Sequence, residues 1–149
     1  MKHKQSKHTI TPASIPLQVG VKIFLRGKQG KYLLLERSSL KYPRIKNKWD
    51  IPGGRIIIGT PVLANLRREV HEETGLKILG RPKLIEVQDI IREGEKHIVR
   101  ITYLGATAGI PKLNDEHINF KWFTLLEMKR FRKLDEFTRD VLEKRFLTS

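Results

Sequence analysis

A chain of 149 residues that is 39% hydrophobic can bury a real core as one domain, and it is too apolar for compositional disorder. It has no cysteine, which excludes disulfides, thiolate metal sites and cysteine nucleophiles and suits a reducing, cytoplasmic setting. No apolar run is long enough to span a membrane, no secretory h-region is visible, and a net charge of +14 favours anionic partners such as nucleotides or nucleic acid.

Residues 1–16 keep no period and read as a basic N-terminal tail with His3 and His8 solvated, so a single domain is expected over 17–149. Val19, Val21, Ile23 and Leu25 alternate as a strand does. Gly27 to Gly30 is a turn, and Tyr32 to Leu35, apolar on both faces, reads as a central strand closing a hairpin. A loop over 38–48 follows. From Arg26 to Lys48 there are eight Lys or Arg against one Glu, so phosphate groups would be steered here, with Arg37 and Arg44 as candidates to meet them.

From Trp49 to Leu76 the pattern is strand, Gly-rich loop, helix. Pro61 suits the first helical position, Thr60 before it the N-cap, and Gly75 the left-handed stop. Glu69, Glu72 and Glu73 stand at i, i+3 and i+4 and share one side of that helix. Their mutual repulsion calls for positive charge. Arg68, four residues before Glu72, can supply part, and a hard divalent cation wants such oxygen ligands. An acidic run usually just faces water, but Gly53 and Gly54 beside it let backbone approach a ligand closely.

Downstream, Leu84–Ile91, His97–Leu104 and Ile118–Phe123 read as strands. Thr124 and Glu127 fit a capping box. Leu134, Phe137 and Val141 mark an amphipathic C-terminal helix, with Asp135–Arg139 and Asp140–Lys144 as i,i+4 pairs. Strands, helix, strands, helix is an α/β order suited to a mixed sheet between helices.

Gly54 followed by Arg68-Glu69-Val70-His71-Glu72-Glu73-Thr74-Gly75-Leu76 resembles the Nudix box, G-x5-E-x7-R-E-U-x-E-E-x-G-U, where U is aliphatic. One position departs: Thr60 stands where the family has its first Glu. The resemblance implies an α/β/α sandwich with a mixed sheet, the box forming loop–helix–loop. It implies hydrolysis of a nucleoside diphosphate linked to another moiety, with Mg²⁺ or Mn²⁺. Carried onto this chain, the metal ligands would be Glu69, Glu72, Glu73 and the Gly53 carbonyl, and Arg68 and Thr60 would be structural. Gly54 would lie against substrate. Asp115-Glu116-His117 to Trp122 resembles a further family stretch, making Glu116 a candidate ligand or base beside Glu69 and Glu72. The small size points to a MutT-like nucleotide pyrophosphatase acting on a small nucleotide such as a (d)NTP. Tyr42, Trp49 and Phe120 are candidates to stack a base, Trp49 more naturally a core residue. Two rivals are an RNA 5′-end pyrophosphohydrolase, which the charge suits, and a catalytically weak nucleotide-binding module, which Thr60 permits.

Overall fold

The computed structural model describes residues 15–144; the tail expected over 1–16 lies almost wholly outside them. Alternation in β1 (Leu17–Arg26) sends Val21, Ile23 and Leu25 to one face of the sheet and Phe24 to the other. β2 (Tyr32–Arg37) does the same, with Leu33 and Leu35 against Tyr32 and Leu34. On the first face Leu66 and Val70 of α1 (Val62–Thr74) complete the core. On the second, α2 (Leu125–Arg130) and α3 (Glu136–Glu143) bring Met128, Val141 and Leu142. The result is the expected α/β/α sandwich around a mixed sheet. No helix among the described residues is long and apolar enough to cross a membrane.

The hairpin is real only at its turn. β1 and β2 pair at Arg26 and Tyr32, then diverge. Into the gap run β3 (Trp49–Asp50), paired with β2, and β4 (Gly53–Arg55), paired with β1. The Ile23 N–H donates to the Pro52 carbonyl at 3.0 Å, carrying the ladder across the break. Apolar alternation alone could not show this, because a wedge of two short strands buries the same residues as a closed ladder. β2 is central as expected, with β7 (His117–Phe123) on its other edge. β1 runs parallel to β6 (Lys96–Ala106), and β5 (Leu79–Arg92) pairs antiparallel with β6. β5 begins earlier than its alternation suggests, because register shifts near Lys83 and Leu84 break the period.

Two local expectations are corrected. Pro61, not Thr60, is the N-cap of α1, and no side chain caps the helix. Thr60 instead closes a turn, its N–H donating to the Ile57 carbonyl at 3.0 Å. The work of tying down this corner falls to Asn65, fully buried. Its Oδ1 accepts from the Ile57 N–H at 3.0 Å and its Nδ2 donates to the Arg55 carbonyl at 3.2 Å. Thr60→Ala should therefore melt within about 0.5 kcal/mol of wild type. Asn65→Ala strands buried polar groups and should cost about 1–3 kcal/mol. Urea melts of both variants check this, and equal losses would restore a cap role to Thr60. The second correction is at α3. Asp135 does not pair with Arg139; it is the N-cap, accepting from the Phe137 and Thr138 N–H groups at 3.0 and 3.1 Å. The capping box of Thr124 and Glu127 and the Asp140–Lys144 pair at 3.6 Å are present as expected.

Candidate active site

At about 100° per residue, Glu72 and Glu73 stand on either side of Glu69 around α1. Glu73 follows Val70 by three and Leu66 by seven, so it continues the buried stripe and is only 4% exposed. The Glu69 side chain is 15% exposed and that of Glu72 53%. The three carboxylates thus share a side of the helix but not an environment. Arg68 donates to Glu72 at 2.9 Å, to Asn65 Oδ1 at 3.0 Å and to Glu69 at 3.3 Å.

The glycines are there for space. A Cβ on Gly53 would lie 2.0 Å from the Val21 carbonyl oxygen, and its φ of +140° favours glycine in any case. A Cβ on Gly54 would lie 2.5 Å from a Glu69 carboxylate oxygen. With both absent, β4 presses against β1 and the helix, and the Gly53 N–H donates to Glu73 Oε1 at 3.0 Å.

These residues open onto a cavity of about 410 Å³. Its lining carries Glu69, Glu73, Glu116 and His117 together with the cations Lys22, Arg37, Arg55 and Arg100. Donor atoms of Glu73, Glu116 and His117 all lie within 4.8 Å of one another. Burial pushes the Glu73 carboxyl up to about 8, Glu69 and Glu116 adding to it while Lys22 and the Gly53 N–H oppose. Burial likewise raises Glu69. Burial takes His117 down to about 4, with Lys22 and Arg37 contributing, so its imidazole is neutral near pH 7. Crowded carboxylates that hold protons this tightly fit a hard divalent cation, which would replace the protons.

Of the other expected residues, Arg37 lines the cavity and lies over the Tyr42 ring at 5.7 Å, and Tyr42 lines it too. Arg44 is exposed and, like Glu72, is not among the lining residues. Trp49 is core, edge-on to Phe123 and Phe131. Phe120 packs against the α1-side core.

Behind the lining cations lies what sequence reasoning missed. Asp50, 2% exposed, meets Arg37 at 3.1 Å, Lys22 at 3.3 Å and Arg100 at 3.4 Å. It also accepts from the Ile51 N–H at 2.8 Å and from the Thr138 hydroxyl. Asp135 takes the other arm of Arg100 at 3.3 Å. Burial alone would raise the Asp50 carboxyl; Lys22, Arg100 and Arg37 outweigh it and hold it far below the usual range. Burial lowers Lys22, against the pull of Asp50. A signal existed: Lys22 and Arg100 sit mid-strand between apolar neighbours, where a solvated cation is out of place.

A NUDIX domain family model matches residues 16–144. The fold is similar to that of the MutT protein from Methanosarcina mazei Go1, with TM-score 0.74 and 27% identity over 87% of this chain and 93% of that one. It is also similar to the MutT NUDIX hydrolase from Burkholderia pseudomallei, with TM-score 0.71 and 29% identity over 87% and 98%. An RNA pyrophosphohydrolase from Bartonella bacilliformis is 34% identical over 79 residues, 51% of this chain and 45% of that protein. A Mycobacterium tuberculosis protein bearing the provisional name 8-oxo-dGTP diphosphatase 2 is 27% identical over 95 residues, 64% and 67% of the two chains. By family match and by fold, the chain belongs to the Nudix family and is a MutT-like pyrophosphohydrolase.

Proposed function

We propose that the cavity hydrolyses the pyrophosphate bond of a small nucleotide, a nucleoside diphosphate linked to another moiety such as a (d)NTP. The observation that carries this reading is that Glu69, Glu73 and Glu116 line the same cavity as Lys22, Arg37 and Arg100, the three cations gathered on Asp50. A diphosphate needs both: cations to neutralise its oxygens and carboxylates to hold metal and take a proton. Glu69, Glu73, Glu116 and the Gly53 carbonyl are the proposed ligands for Mg²⁺ or Mn²⁺. When bound, the cation neutralises developing charge and lowers the pKa of a water. Lys22 and Arg37, anchored by Asp50, bind the phosphate oxygens in a fixed place, so little reorganisation is needed as charge moves. Of the candidate bases, Glu69 and Glu116 line the cavity, whereas Glu72 is turned out toward Arg68. The proton of the attacking water is therefore assigned to Glu69 or Glu116. Contact with the base is assigned to Tyr42, which lines the cavity, and steering of the anion to exposed Arg44.

The net charge of +14 and the likeness to an RNA pyrophosphohydrolase favour a second reading, removal of pyrophosphate from RNA 5′ ends. Salt separates the two. Binding that engages six to ten phosphates falls by roughly 10³–10⁵ between 50 and 200 mM salt, while a mononucleotide is affected gently. A screen of nucleoside di- and triphosphates, ADP-ribose, dinucleoside polyphosphates and 5′-triphosphate RNA, read by released product at both salts, should give a gentle slope and a mononucleotide as best substrate. A steep slope with RNA turned over best would install the second reading. Nucleotide binding without any product would make the chain a binding module, the role the Thr60 departure permits.

A further inference from the structure

We infer that His117 makes the metal site a mixed nitrogen–oxygen one, coordinating a transition-metal divalent cation such as Mn²⁺ through one imidazole nitrogen alongside Glu73 and Glu116. This rests on the reading of the cavity as a metal-dependent hydrolase. Three observations carry it. A ring nitrogen of His117 lies within 4.8 Å of carboxylate oxygens from both glutamates. Ligands about 2.1 Å from an octahedral ion stand about 3 Å apart when adjacent and about 4.2 Å when opposite, so the three atoms need close only slightly around a shared ion.

Next, the fold aims this side chain deliberately. His117 is the first residue of β7 and pairs with Arg37, where the ladder with β2 shifts register between Glu36 and Arg37. Such a bulge at a strand end re-aims the side chain beside it. Finally, the buried His117 Nδ1 finds no hydrogen-bond partner among the described residues. An unmatched buried polar atom is costly, and a bound ion removes the cost either directly or by orienting the ring.

The chemistry of the donor set then selects the metal. Carboxylates and carbonyls suit Mg²⁺, while imidazole adds affinity for Mn²⁺ and its transition-metal neighbours without adding charge to an already crowded acidic cluster.

Pulsed EPR on the full chain with one equivalent of Mn²⁺ is the test, and the wild-type spectrum needs no variant. Modulation from a directly bound ¹⁴N is expected, and it should vanish in His117→Gln. Calorimetric titration should show Mn²⁺ affinity falling at least ~10-fold in that variant, with Mg²⁺ affinity shifting far less. Mn²⁺ held by oxygen alone, with His117→Gln unchanged in its Mn²⁺/Mg²⁺ preference, overturns this inference and leaves the carboxylate site standing. A wild type that takes up no Mn²⁺ or Mg²⁺ overturns the metal reading and this inference together.

Discussion

Glu73→Gln should keep the fold and lose at least ~10²–10³ in turnover of whichever nucleotide the screen selects. Gln retains a carbonyl oxygen to accept from the Gly53 N–H and fills nearly the same volume. What it removes is the negative charge closest to the proposed ion. Excess chelator should do the same to wild type, and turnover that survives either treatment would sink the metal assignment. The variant also has a signature in stability. The metal-free Glu73 carboxyl sits near 8, above its usual range, so the stabilising form is the protonated one. Its contribution is fully present below the ordinary carboxyl pKa and fades as pH rises through about 8. Gln, always neutral, escapes that loss. Metal-free wild type should thus fall behind Glu73→Gln by on the order of a few kcal/mol as pH rises from about 5 to about 9. Mg²⁺ or Mn²⁺ should reverse the order at the high end, because ligation needs the ionised carboxylate. Urea melts at both pH values, with and without metal, read all four states.

Asp50→Asn should be the more damaging change to the fold, costing about 3–5 kcal/mol at neutral pH, because it leaves buried cations without their counter-charge. Lys22, Arg37 and Arg100 all converge on this one carboxylate, and Asp135 reaches only Arg100. Asp50 is held below its usual pKa, so its stabilisation is present above the ordinary carboxylate range and is lost as pH falls through its depressed value. The gap between wild type and variant should accordingly stay constant down to about pH 4 and narrow only in stronger acid. The same substitution frees Arg37 and Lys22 from their anchor, so KM for nucleotide should rise in whatever fraction stays folded. A variant within 1 kcal/mol of wild type at pH 7 would show that the cations find other partners.

What could be read without coordinates followed from periodicity and spacing. Gly53 and Gly54 beside the acidic run marked it as more than a solvated face, and the box spacing gathered Gly54, Arg68, Glu69, Glu72 and Glu73 into one motif. The Thr124–Glu127 cap is wholly local and was legible for that reason. Three things were not. Thr60 and Pro61 are both good residues for a helix start, and only the turn through Ile57 decides which is the cap. Asp135 could serve Arg139 four residues on or the bare amides just after it, and the amides win because they have no other acceptor. The Asp50 cluster joins residues from β1, β2, β3, β6 and α3, and no spacing along one element can announce such a meeting.

The wedge between β1 and β2 has a kinetic consequence. A closed hairpin would zip early, from a turn outward, at little entropic cost. Here Val21 must find Gly54 on one edge and Ile101 on the other before the lining of the cavity exists. Pairings of such long sequence separation slow folding, and they place the binding cavity among the last parts of the chain to assemble. A ribosome-bound chain ending before β6 has no partner for the other edge of β1, and Asp50, with Lys22 and Arg37 already in the chain, still lacks Arg100.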